Sequence, residues 1–99
     1  MPTPYLKSIT AGGQEERFSV AEDEVLIGRL SESQIVLTNP YISRRHAKLI
    51  IDAGLVFIQD LDSTNFSFVD RQKLAPDTPV ALSHGTEVRL GKLVMTFLE

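Results

Sequence analysis

His46-Ala47-Lys48-Leu49-Ile50-Ile51-Asp52 and Leu55-Val56-Phe57-Ile58-Gln59-Asp60 flank the dipeptide Ala53-Gly54. Two apolar runs rich in β-branched residues, joined by two residues of which the second is glycine, predict a β-hairpin. Working outward, the same unit recurs. Tyr5-Leu6-Lys7-Ser8-Ile9 precedes the turn Ala11-Gly12-Gly13-Gln14, and Arg17-Phe18-Ser19-Val20 follows it. Glu24-Val25-Leu26-Ile27-Gly28 and Ile35-Val36-Leu37 are the next short runs. After the hairpin come Phe66-Ser67-Phe68-Val69, Lys73-Leu74 and Val80-Ala81-Leu82. Thr86-Glu87-Val88-Arg89-Leu90 and Leu93-Val94-Met95-Thr96-Phe97-Leu98 close the chain around Gly91-Lys92. Alternation with a period of two dominates, and no stretch carries a helical stripe. Many short strands separated by turn signals predict an all-β sandwich. Phe18, Phe57, Phe68 and Phe97 read as core on that alternation.

Composition narrows the function. The 99 residues suit one domain spanning 1–99, with no internal composition shift or repeat. There is no cysteine, hence no disulfide framework, thiol catalyst or cysteine-based zinc site. Two histidines far apart in sequence, His46 and His84, make no metal site, and His84 reads as a turn residue. No cofactor is implied. Ten basic against 13 acidic side chains give a formal charge of −3, which argues against a nucleic-acid surface. It does not exclude one anionic group held by a local basic spot. The pairs and clusters Glu15-Glu16 and Glu22-Asp23-Glu24 read as solvated loop charges. No apolar run is long enough to span a bilayer, and Met1-Pro2-Thr3-Pro4 lacks the features of a signal peptide. The expected setting is cytoplasmic, without direct membrane contact, as a module or fragment of a larger protein.

In a sandwich, strands carry the core and loops carry function. Three loops stand out: Gly28-Arg29-Leu30-Ser31, Tyr41-Ile42-Ser43-Arg44-Arg45-His46 and Asp62-Ser63-Thr64-Asn65. Guanidinium forks and short hydroxyl donors suit a phosphate, whereas an amide such as Asn65 both donates and accepts and suits a peptide backbone. Ser43, His46 and Asp60 do not make a hydrolase triad, because Ser43 and His46 share one loop without a nucleophile elbow or oxyanion motif. No enzymatic activity is expected.

The spacing adds a resemblance. Gly28-Arg29, Ser43-Arg44-Arg45-His46 and Asp60-Leu61-Asp62-Ser63-Thr64-Asn65 occur in the order seen in the forkhead-associated (FHA) domain family, followed by Phe68-Val69 and Leu82 to Gly91. The similarity runs from about residue 25 to the C-terminus. It implies a sandwich of about eleven strands that binds phosphothreonine peptides at its loop tips, in reversible Ser/Thr-kinase signalling. Carried over, Arg29, Ser43, Arg44 and Thr64 would hold the phosphate and Asn65 would grip the peptide main chain. Gly28 and His46 would shape the loops, the glycine by close packing and the histidine by bracing from behind. A phosphorylation-independent interaction domain on the same fold is the alternative.

The chain departs from the family pattern after Asn65. Phe66 stands where the family has glycine, Ser67 where it has threonine, and Asp70-Arg71 where it has Asn-Gly. Bulky residues resist the positive φ that Asn-Gly favours, so a reshaped loop is one expectation. Phe66 either projects into solvent or folds onto its neighbours. Tyr41 is either a packing residue or a wall of the peptide groove. Thr3 and Thr10 are candidate phosphorylation sites that a neighbouring copy would bind, a route to self-association.

Overall fold

The computed structural model describes residues 3–99; Met1 and Pro2, the start of the stretch read for a signal peptide, lie outside it. Eleven strands form two sheets. In chain order they are β1 (Tyr5–Ile9), β2 (Glu15–Ser19), β3 (Glu24–Gly28), β4 (Ile35–Val36), β5 (Ala47–Asp52) and β6 (Leu55–Asp60). Then follow β7 (Ser67–Val69), β8 (Gln72–Lys73), β9 (Val80–Leu82), β10 (Glu87–Leu90) and β11 (Leu93–Leu98). One sheet has the order β2-β1-β11-β10-β7-β8, the other β4-β3-β5-β6-β9. All neighbours are antiparallel except β3 and β4, which pair Ile27 with Ile35 and Gly28 with Val36 in parallel. The all-β sandwich expected from the alternation is the observed fold.

The deciding hairpin forms as read, from Ala47 opposite Asp60 to Asp52 opposite Leu55. Ala53 (φ 53°) and Gly54 (φ 79°) both have positive φ, the signature of a type I′ turn, whose twist matches that of the flanking strands. Inward-facing Leu49 and Ile58 are opposite each other and fully buried. From the other sheet Leu6, Val88, Leu90, Met95 and Phe97 complete the core. Phe97 is fully buried, and Phe18 packs partly buried against the core.

Two of the four phenylalanines depart from expectation. Phe57 and Phe68 are only half-buried, because the register gives each the opposite face to its buried neighbours Ile58 and Ser67. A two-residue period locates faces but does not say which one is inward, and here the second sheet decides it. Glu15 and Glu16 also differ: they lie in β2, paired with Ile9 and Ser8, not in a loop. An edge strand that is exposed except at Phe18 accepts charged side chains, which protect its open backbone from further pairing. Among the described residues no helix is long and apolar enough to cross a membrane.

Candidate functional site

β3 ends at Gly28, where no larger residue fits. A Cβ at this position would lie 2.0 Å from the Arg44 carbonyl oxygen. That close approach brings the loop after β3 against the loop before β5. The Arg29 N–H is shared between the Ser43 and Arg44 carbonyls, each at 3.1 Å, and the Leu30 N–H reaches Arg44 O at 3.3 Å. The third loop, between β6 and β7, joins the same end. Thr64 N donates to Ser43 Oγ at 3.0 Å, and Asn65 Nδ2 donates to the Tyr41 carbonyl at 3.0 Å. Backbone bonds for Arg29 and Arg44, and side chain–backbone bonds for Ser43, Thr64 and Asn65, thus bring these five residues to one edge of the sandwich.

His46 lies beneath these loops and is fully buried. The Ser43 N–H donates to its Nδ1 and its Nε2 donates to the Phe66 carbonyl, both at 3.0 Å, which fixes a neutral imidazole protonated on Nε2. Burial pushes its pKa below the usual 6.5, while the bond to Phe66 and the charge of Asp60 oppose that shift. The Phe66 carbonyl also accepts the Gly91 N–H at 3.0 Å, so the β10–β11 turn is tied to the same point.

Those two bonds explain the chain's departure from the family's glycine. Phe66 adopts φ 67°, a region a bulky side chain enters only when its surroundings hold it there. Phe66 is 43% exposed, and its ring lies under Lys73 with Nζ 3.6 Å from the centroid. Of the two readings, the exposed aromatic is the one observed, with one cation resting on its face. Tyr41 is likewise exposed, its ring beneath Lys92 Nζ at 4.3 Å.

Arg29, Arg44, Thr64 and Asn65 are exposed, and Ser43 is half-buried. No carboxylate pairs with Arg29, Arg44 or Arg45 among the described residues, although Glu32 and Asp62 belong to the same loops. Because Ser43 Oγ accepts from Thr64 N, its own proton stays available to an outside acceptor. The bond between Ser43 and His46 runs through the serine backbone N–H rather than the hydroxyl. The imidazole therefore does not act as a base on Ser43.

Asp60 is the feature that motif reading undervalued. Its carboxylate is buried and takes hydrogen bonds from Ser63 Oγ, Ser63 N (3.2 Å) and Ser67 Oγ (2.6 Å). The signal was present in β6, where Val56, Ile58 and Asp60 share the inward face. A buried carboxylate needs partners, and Ser63 and Ser67 lie within reach along the chain. This network supports the loop bearing Thr64 and Asn65 from below.

The model of the FHA domain matches residues 25–91. The chain belongs to the FHA domain family. FHA domain-containing protein FhaB of Mycobacterium tuberculosis is 43% identical over 76 residues, covering 77% of this chain and 48% of that protein. Among solved structures, the FHA domain of the CT664 protein from Chlamydia trachomatis superposes with a TM-score of 0.87 at 28% identity, covering 99% of this FHA chain and 98% of that one. EmbR of Mycobacterium tuberculosis, solved in complex with a low-affinity phosphopeptide, gives a TM-score of 0.86 at 28% identity over 99% of this chain and 24% of that one. The present FHA chain spans about half the length of the curated relatives it matches.

Proposed function

We propose that the loop end of this FHA domain binds phosphothreonine peptides, as a single recognition module of a larger protein in cytoplasmic Ser/Thr-kinase signalling. The observation that carries the reading is the pairing of an uncommitted Arg29 guanidinium with Ser43, whose hydroxyl proton is free, on two loops locked together by the Arg29 N–H. Arg29 and Arg44 supply charge, and Ser43 and Thr64 supply short-range contacts to the phosphate. Asn65 offers its Oδ1 to a peptide N–H while its amide nitrogen holds Tyr41. Gly28 and His46 set the distance and the angle between the loops.

A phosphate brings about −1.5 to −2 charges and three acceptor oxygens at neutral pH. Hydrogen bonds to a charged group contribute about 1.5–3 kcal/mol each, so a few decide the affinity of a small loop-tip contact. The phosphopeptide bound to EmbR supports the same ligand class. The proposed role is binding rather than catalysis, consistent with a Ser43 hydroxyl that has no base beside it.

The test is a fluorescence-anisotropy titration with one peptide in phosphothreonine, phosphoserine and unmodified forms. The phosphothreonine form should bind best and the unmodified form worst. Arg29→Ala should abolish phosphopeptide binding, leaving the circular dichroism and melting of the domain unchanged. Equal affinity for all three peptides would overturn the proposal in favour of a phosphorylation-independent interaction domain.

A further inference from the structure

Ion pairing divides the ten cations of this chain into two groups. Lys7 and Arg17 pair with Glu15, Lys48 with Glu24, and Arg71 with Glu87. The other six, Arg29, Arg44, Arg45, Lys73, Arg89 and Lys92, form no ion pair among the described residues. The first three belong to the loops of the proposed phosphate site. Each of the last three rests on an aromatic face: Lys92 on Tyr41, Lys73 on Phe66 and Arg89 on Phe68, at 4.3, 3.6 and 3.9 Å.

Register joins these three pairs into one band. Lys73, Phe68 and Arg89 are successive cross-strand neighbours on β8, β7 and β10, and exposed Val94 continues the row on β11. Phe66 leads directly into β7, and its carbonyl is bonded to Gly91 N, one residue before Lys92. The band therefore begins beside Asn65 at the loop tips and runs onto the outer face of the six-stranded sheet. An aromatic face attracts a cation but leaves its charge and most of its N–H donors open. Arg89 Nε is buried without any partner. The acids closest in register, Glu87 and Asp70, lie toward the other ends of β10 and β7. The Asp70 carboxylate accepts the Glu87 N–H there, and the Glu87 carboxylate lies 4.0 Å from the exposed Arg71.

We infer that this aromatic–cationic band receives an acidic segment of the partner adjacent in sequence to the phosphothreonine. The inference rests on the phosphothreonine reading above and adds the chemistry of the flanking residues. Carboxylates are the complement of three unpaired cations, and the aromatic faces hold those cations in fixed positions, which lowers the cost of ordering them on binding. The chain's replacement of the family's glycine by Phe66 supplies one of the three aromatic supports.

The test uses one phosphothreonine core peptide, and its unmodified form, flanked on either side by aspartate, alanine or lysine pairs. Aspartate on one side should tighten binding by about threefold to tenfold over alanine, the worth of one or two exposed ion pairs, and lysine should weaken it. The gap should shrink between about 50 mM and about 500 mM salt. Lys73→Ala with Lys92→Ala, both at exposed positions, should remove the flank preference while retaining the phosphate dependence. Equal binding of aspartate- and alanine-flanked peptides with phosphate dependence intact would overturn the inference. Aspartate preference without phosphate dependence would instead overturn the phosphothreonine reading.

Discussion

His46 connects two loops through its two ring nitrogens: its own, at Ser43, and the one that carries Phe66. The bond from the Ser43 N–H requires the neutral ring, because protonation turns Nδ1 from acceptor into donor and sets it against that N–H, whereas the Nε2–H bond to Phe66 is open to either form. Burial lowers its pKa in the folded protein, so the unfolded chain takes up this proton first as pH falls. The contribution is complete above the unfolded value of about 6.5 and declines below it, until pH reaches the folded pKa. Urea denaturation across about pH 5–8 should show stability falling by up to about 1.4 kcal/mol per unit below that point. A His46→Gln variant should lose this dependence, and nuclear magnetic resonance of the ring should find His46 titrating below the usual range. The motif Ser43-Arg44-Arg45-His46 pointed to this residue. That it is buried and bonded at both nitrogens follows from the approach of Phe66, which lies twenty residues further on.

At the level of elements, the hairpin between β7 and β8 shows how the chain tolerates the loss of the family's Asn-Gly. Asp70 (φ 47°) and Arg71 (φ 71°) occupy a two-residue loop between paired Val69 and Gln72. Positive φ at both positions is the type I′ requirement, which Asp70 suits and Arg71, at the glycine position, does not. Compensation comes from Asp70, whose N–H donates to the Glu87 carbonyl at 2.9 Å and whose carboxylate accepts the Glu87 N–H at 3.0 Å. This also bears on repulsion of a phosphate. Asp70 follows the far end of β7, about 10 Å from Ser67 by strand rise, with its carboxylate already engaged. Replacing Asp70-Arg71 by Asn-Gly should stabilise the domain by about 1 kcal/mol, since each non-glycine residue at such φ costs about that much and asparagine keeps the side-chain acceptor. The lost Arg71–Glu87 pair spans 4.0 Å at an 88% exposed arginine and contributes little. A rise in melting temperature of about 4–8 °C is the expected reading.

Across the whole molecule, the two sheets share one core and the proposed site sits on loops at one end of it. Phe97, on a central strand of the larger sheet, is fully buried far along the chain from every site loop but packed in the same core. Phe97→Ala should cost about 3–5 kcal/mol, a large share of the roughly 5–15 kcal/mol typical of a domain. The variant should melt much lower in a single transition. Phosphopeptide affinity measured well below that melting point should stay close to the original, because the loop bonds are local. Charge is also organised at this scale. The chain carries −3 overall, yet its unpaired cations gather around the loops and the adjoining part of the outer sheet face, while Lys7, Arg17 and Arg71, in or beside strands of that same sheet, each have a glutamate partner.

The sequence by itself determined the strands apart from the charged start of β2 at Glu15-Glu16, the hairpin at Ala53-Gly54 and the family motifs, because alternation, turn chemistry and short polar signatures are local properties of the chain. It also placed the five loop residues of the proposed site in their order. Only the tertiary structure decided which faces of Phe57 and Phe68 point outward, since inward is defined by the opposite sheet. It likewise decided that Phe66 holds a glycine-like conformation, because two hydrogen bonds to its carbonyl come from His46 and Gly91, both remote in sequence. The cationic band belongs to the same class: Lys73, Arg89 and Lys92 are unremarkable charges along the chain. They become neighbours only when β8, β7 and β10 pair in one sheet and the β10–β11 turn is drawn to Phe66.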